Sequence, residues 1–274
     1  MLAFGAVLSG VAGVAALAAT SSASPWMESA NSKARLVSGK VERDGKSTLM
    51  AGVQLRMGPG WKTYWKNPGD SGVPPHFDWS GSTNLKHAEV LFPAPHRFAE
   101  ADGWAIGYRE EIVFPVKITP EREGEPVELK LVLGYGLCKD LCIPNDVTLD
   151  LTIAADAGKG DARLIETFLE RVPKVAVPGM LPELSQVVAD LAGAVPGLIV
   201  EATFPAGATD TDLFIEAGEV FVPMPKPLGP VAAGNQRFAV SFASPSEAAA
   251  IKGKPLSLTL VSDQGATETI WTAE

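Results

Sequence analysis

The stretch "VELKLVLGYGLCKDLCIPNDVTLDLTIA", Val127 to Ala154, decides how the first half of this chain folds. Val127, Leu129, Leu131 and Leu133 place an apolar side chain at every second position, and Val147, Leu149, Leu151 and Ile153 do the same. A period of two marks strands with one buried face. Directly opposed residues of an antiparallel pair share a face, so setting Leu133 against Val147 and Leu131 against Leu149 joins apolar to apolar. The same register carries Cys138 opposite Cys142, the only cysteines in the chain. Parity permits other even registers as well, and a bulge near Gly136 or Pro144 would shift the pairing. Opposed Cα atoms lie about 4.5–5.5 Å apart, within the window of about 4.4–6.8 Å that a disulfide needs. Both cysteines then point away from the apolar face, toward solvent or a covering loop.

The same pattern extends in both directions. "STLMAGVQLRM" (47–57) and "EIVFPVKIT" (111–119) alternate likewise, and the breaks between strands hold Gly, Pro, Asn and Asp, as turns require. Many short strands predict an antiparallel sandwich, with Val53, Leu55, Ile112, Phe114, Val116, Leu129, Leu131, Leu149 and Leu151 in its core. Residues 155–182 differ. Asp161 is a candidate N-cap, Leu164, Ile165, Phe168 and Leu169 share a helical face, and Pro173 ends it; a Pro-rich linker follows. Period two returns in "GLIVEATF" (197–204), "TDLFIEA" (211–217), "QRFAVSFA" (236–243), "PLSLTLVS" (255–262) and "ATETIWTA" (266–273), which predict a second, smaller sandwich. The expected fold class is therefore all-β. Two antiparallel sandwiches, residues 30–155 and 183–274, are joined by helix and linker over 156–182.

The N-terminus bears on compartment. Residues 2–19, "LAFGAVLSGVAGVAALAA", carry no charge, and Ser21 and Ala23 stand at a cleavage position. Residues 1–23 read as a secretory signal peptide, with an uncleaved anchor as the alternative. No later stretch is apolar and long enough to span a membrane. The mature protein, about 250 residues long, is expected to be soluble in an oxidising compartment. A net charge of -9 and the lack of a basic run argue against a nucleic-acid partner. Two cysteines cannot form a disulfide framework, so the chain must fold by burying apolar surface.

Three chemistries compete for Cys138 and Cys142. A structural staple closing so short a loop contributes roughly 2 kcal/mol on the chain-entropy relation. A metal clip is disfavoured, because the Cys-x3-Cys spacing is not a usual zinc pattern and nothing recruits His76, His87 or His96; a linear Cu(I) thiolate site is chemically possible. A redox pair needs access to a partner's cysteine, which the outward-facing register offers. Lys139 could favour the thiolate of Cys138, and Asp140 would oppose it. Trp61, Tyr64 and Trp65 in "GWKTYWKNPGDSG" make either a binding loop or a Pro/Gly-rich loop folded onto the sandwich. Asp70 and Glu100 are candidate proton acceptors for a thiol. No hydrolase, metalloprotease or phosphate-loop motif occurs, and no metal or other cofactor is called for.

"GWKTYWKNPGDSGVPPHFDW" (60–79), "FPAPHRFAEADGWAIGYREEIVFPV" (92–116) and "GYGLCKDLCIP" (134–144) together resemble the periplasmic N-terminal domain of the thiol:disulfide interchange protein DsbD, and more closely that of its relative ScsB. "TDLFIEAG" and "VPMPKP" resemble, more weakly, the second domain of ScsB-type proteins. The resemblance implies immunoglobulin-like sandwiches and a periplasmic protein-disulfide reductase activity. It makes Cys138 and Cys142 the redox-active centre, with Cys142 the attacking cysteine. It also implies a cap loop over Ala101 to Gly107, with Trp104 as the shielding aromatic and Tyr108 its neighbour. The cysteine spacing is shorter than in the enterobacterial domain. The sequence ends at Glu274 without a transmembrane conduit or a thioredoxin-like domain, so the expected partners are thioredoxin-like periplasmic proteins or a separately encoded membrane reductase. The competing expectation is a non-catalytic binding or copper-stress module with a structural disulfide.

Overall fold

In a computed structural model, residues 21–274 are described apart from 44, 71, 101–102 and 230–233. Most of the expected signal peptide lies outside these residues. The first half runs β1 (Met27–Glu28), β2 (Ser32–Arg43), β3 (Lys46–Met57), β4 (Lys62–Gly69), β5 (His76–Asp78) and β6 (Leu85–Val90). It continues through β7 (His96–Glu100), β8 (Gly103–Arg109), β9 (Glu111–Pro120), β10 (Val127–Cys138) and β11 (Cys142–Ile153) to helix α1 (Ala162–Leu169). The second half comprises β12 (Lys174–Val175), β13 (Glu183–Asp190), β14 (Gly197–Thr203), β15 (Asp212–Glu216), β16 (Lys226–Pro227) and β17 (Asn235–Ser241). Helix α2 (Pro245–Ala249) then precedes β18 (Pro255–Ser262) and β19 (Gly265–Thr272).

The strands form four sheets, in the orders β1-β2-β3-β9-β6, β11-β10-β4-β8-β7 with β5 beside β10, β12-β19-β18-β15, and β13-β14-β17-β16. Pairing within them is antiparallel apart from the short parallel pair β12–β19. The protein is all-β, and the first two sheets close on one core. All nine expected core residues are buried, and Tyr108, Tyr135 and Trp65 are buried with them. Each such Leu, Ile or Phe contributes about 1.5–3 kcal/mol by leaving water. The β10–β11 register pairs Leu133 with Val147, Leu131 with Leu149, and Cys138 with Cys142, without a bulge.

Helix α1 packs on the outside of β2 and β3, where Ala162 and Ile165 meet Val37, Val41 and Met50. Its first residue follows Asp161, as expected, but that carboxylate makes no bond to the helix end. Ser22 Oγ donates to Asp161 Oδ2 at 2.5 Å instead, tying the segment before β1 to the helix. The stretch expected as plain linker contains β12, which joins the sheet of the second half.

The halves meet across a mixed junction. Phe214 and Val261 of the second half are buried in the first core, and the Phe214 ring lies 5.6 Å from that of Trp65. Arg97 on β7 donates to Asp212 from Nε at 2.8 Å and Nη2 at 2.5 Å, and to the Pro225 carbonyl from Nη1 at 2.6 Å. Lys66 pairs with Glu216 at 2.5 Å. Burial pushes the Asp212 and Glu216 carboxyls up; Arg97 and Lys66 respectively pull them back.

Candidate redox site

The disulfide between Cys138 and Cys142 closes the β10–β11 hairpin at its tip. Odd-numbered residues of β10 face the core, so Cys138 faces the other way. That face is not open there. Cys138 is only 4% exposed, covered by Tyr64 and Ala105 with Phe98 packed against them. Cys142, across the same bond, is exposed, and its neighbour Leu141 is 70% exposed. One cysteine of the pair is buried and the other is exposed.

Tyr64 connects them. Its ring lies between Gly72 and Gly136. A Cβ at Gly72 would come within 2.4 Å of the ring and one at Gly136 within 2.9 Å, so a side chain at either position would displace it. Tyr64 Oη sits 3.2 Å from Cys142 Sγ. A disulfide sulfur has no proton, so the phenol donates and sulfur is the weak acceptor. Burial, and secondarily the charge of Glu100, raise the Tyr64 pKa and keep that proton in place.

A charged pair adjoins this cover. Lys62 on β4 is the Cα partner of Cys138. It is 6% exposed and is the only buried charged residue among the described residues. Its Nζ lies 2.5 Å from Glu100 Oε1, at the end of β7.

Apart from Tyr64 and Glu100, the remaining site candidates fall elsewhere. The aromatic stretch expected as a loop is instead strand β4. Its β-branched and aromatic residues favour a half-buried pleat, and the strand buries Tyr64 beside the disulfide and Trp65 in the core. Trp61 packs on the edge of that core. Of the expected cap segment, Ala101 and Asp102 lie outside the described residues, and Gly103 to Gly107 form part of β8. By alternation Trp104 shares a face with Ile106 and Tyr108, whereas Ala105 shares that of Cys138. The Trp104 amide donates to Asp70 Oδ2 at 2.9 Å, and its ring centroid lies 5.5 Å from the Arg97 guanidinium. Tyr108 is a core residue whose hydroxyl donates to the Pro93 carbonyl at 2.7 Å. No group of three His, Cys, Asp or Glu residues suited to a metal occurs among the described residues.

Sequence reasoning missed Lys62 and Phe98. Phe98 follows His96 and Arg97 and precedes Ala99 without apolar–polar alternation, so its strand gave little local signal. The burial of Lys62 has no local signal, because it depends on Glu100, far away in the chain.

Residues 36–154 match the family described as thiol:disulfide interchange protein DsbD, N-terminal. The crystal structure of the N-terminal periplasmic domain of ScsB from Proteus mirabilis superposes with a TM-score of 0.71 at 20% sequence identity, covering 93% of this chain and 99% of that one. At that identity the likeness speaks for the fold across both halves. No curated protein sequence matches the chain.

Proposed function

We propose that this protein relays reducing equivalents through Cys138 and Cys142 to or from thioredoxin-like partner proteins in the periplasm, a reading supported by the match of residues 36–154 to the family described as thiol:disulfide interchange protein DsbD, N-terminal. The unequal exposure of the two cysteines carries this reading. On this reading a partner thiolate attacks at the exposed Cys142 and not at the buried Cys138. Attack there forms a mixed disulfide on Cys142 and breaks the original bond, whose electron pair leaves on Cys138. A second partner thiol then displaces Cys142, and the partner departs oxidised by two electrons. In the reverse direction Cys142 attacks a partner disulfide and Cys138 resolves the intermediate. The uncharged apolar leader in residues 2–19 supports the periplasmic assignment.

The test uses single-cysteine variants and a thioredoxin-fold probe whose one cysteine carries a coloured thiol leaving group. Cys138→Ser, which retains Cys142, should capture the probe. Cys142→Ser should react about tenfold more slowly or less, because exposure governs access to a thiol. Equal capture by both variants would remove the basis for the assignment. A reduction potential below about -300 mV would favour a purely structural disulfide.

A further inference from the structure

Exchange at Cys142 leaves a new charge in a confined place. When the incoming thiolate bonds to Cys142 Sγ, the displaced electron pair makes Cys138 a thiolate beneath Tyr64 and Phe98. Burial in apolar surroundings disfavours a thiolate and would slow its departure. The site therefore needs a compensating cation within the cover itself.

We propose that Lys62 is a positioning residue that sets the thiolate affinity of Cys138, with Glu100 as the counter-charge that moderates it. This rests on the exchange reading above for its purpose, though not for its test. Lys62 and Cys138 are Cα partners on adjacent antiparallel strands, so their side chains leave the same face with Cβ atoms about 4.5–5.5 Å apart. Tyr64, two residues further along β4, covers Cys138 on that face. The ammonium is buried with one acidic partner, Glu100.

Other charged groups are worse placed. Arg109 on β8 is exposed, and its guanidinium lies 4.2 Å from the Phe98 ring centroid. Lys139 and Asp140 in the hairpin loop are exposed, so water screens them. Tyr64 keeps its proton. Lys62 is the buried cation on this face, and Glu100 decides how much of its field reaches the sulfur.

The experiment titrates the Cys138 thiol by its ultraviolet thiolate absorbance in a Cys142→Ser background of the full chain. It also measures the rate at which dithiothreitol reduces the intact disulfide. Lys62→Met should shift the thiol–thiolate equilibrium about tenfold toward thiol, and Glu100→Gln about tenfold toward thiolate. Reduction should slow about threefold in the first and quicken about threefold in the second, because a lower leaving-group pKa speeds departure. Lys62→Arg should stay near the parent. A merely structural pair would move both variants in the same direction, since each breaks the same contact. Should Glu100→Gln fold poorly, Lys62→Met/Glu100→Gln, which removes both charges, should fall between Lys62→Met and the parent. Shifts of like sign, or none, would overturn the proposal. Both readouts are differences from the parent, so they remain decisive even if the parent potential rules out exchange.

Discussion

The molecule contains two hairpins of equal length, β2–β3 and β10–β11, with 12 residues in each leg. They close by different means. The first has the sequence Asp-Gly between its legs, a dipeptide favoured in two-residue hairpin loops, and Gly45 has φ +70°. Its tip is exposed and carries Arg43 and Lys46. The second turns on Lys139-Asp140-Leu141, where no residue has a positive φ. A disulfide closes it, and a strand from elsewhere in the chain covers one sulfur. Both hairpins pack an alternating apolar row into the shared core. Where they differ is confined to residues that strand formation does not require, and that is where function is to be sought.

The strongest way to break this comparison is to attack what the hairpins share. Leu131→Ala on β10 removes a fully buried side chain and should cost about 2–5 kcal/mol in urea unfolding. Leu131 lies seven positions along β10 from Cys138, about 23 Å at strand rise. The cost should therefore be unchanged within about 0.5 kcal/mol when both cysteines are replaced by Ala. A cost that collapsed without the disulfide would mean that the bond, and not the packed row, holds the hairpin.

The packed row could be read from the sequence because it is periodic. Parity allowed Leu133 opposite Val147 among other even registers, and the structure adopts that one, with Cys138 opposite Cys142. The cover could not be read in this way. Parity placed Cys138 away from the core but could not name what lay over it, because Tyr64 and Phe98 come from strands more distant in the chain. The strand containing Tyr64 was obscured by flanking Gly and Pro, and a lysine beside it suggested surface. At α1, the capping residue was found but its carboxylate bonds Ser22, a tertiary choice with no local signal. Helix α2 was overlooked despite the Ser-x-x-Glu pattern of Ser244 and Glu247; the Ser244 hydroxyl oxygen accepts from the Glu247 amide, and the Glu247 carboxylate accepts from the Ala243 amide one residue before the cap.

The two closures themselves should differ more modestly. Replacing both cysteines by Ala should cost roughly 2 kcal/mol, the chain-entropy value for so short a loop. Gly45→Ala should cost about 1–2 kcal/mol, because an L-residue resists the left-handed region, and nothing surrounds that position to add a clash. Urea midpoints would measure both. A disulfide cost well above that of the turn would mark the bond as chiefly a staple. Similar costs would fit a closure that can open during exchange without unfolding its domain.

The smallest expected change concerns the cover. Tyr64→Phe keeps the ring between Gly72 and Gly136 and removes only the hydroxyl at Cys142 Sγ. Stability should fall by about 1 kcal/mol or less, the usual net worth of one hydrogen bond. If the ring is what shields Cys138, reduction by dithiothreitol should change less than about threefold in Tyr64→Phe and much more in Tyr64→Ala, since access controls exchange. Equal acceleration in the two variants would transfer the protection to the hydroxyl. The exposed sulfur, held by a donated proton, would then be the guarded one, and the contrast between a covered Cys138 and an open Cys142 would have to be redrawn around that bond.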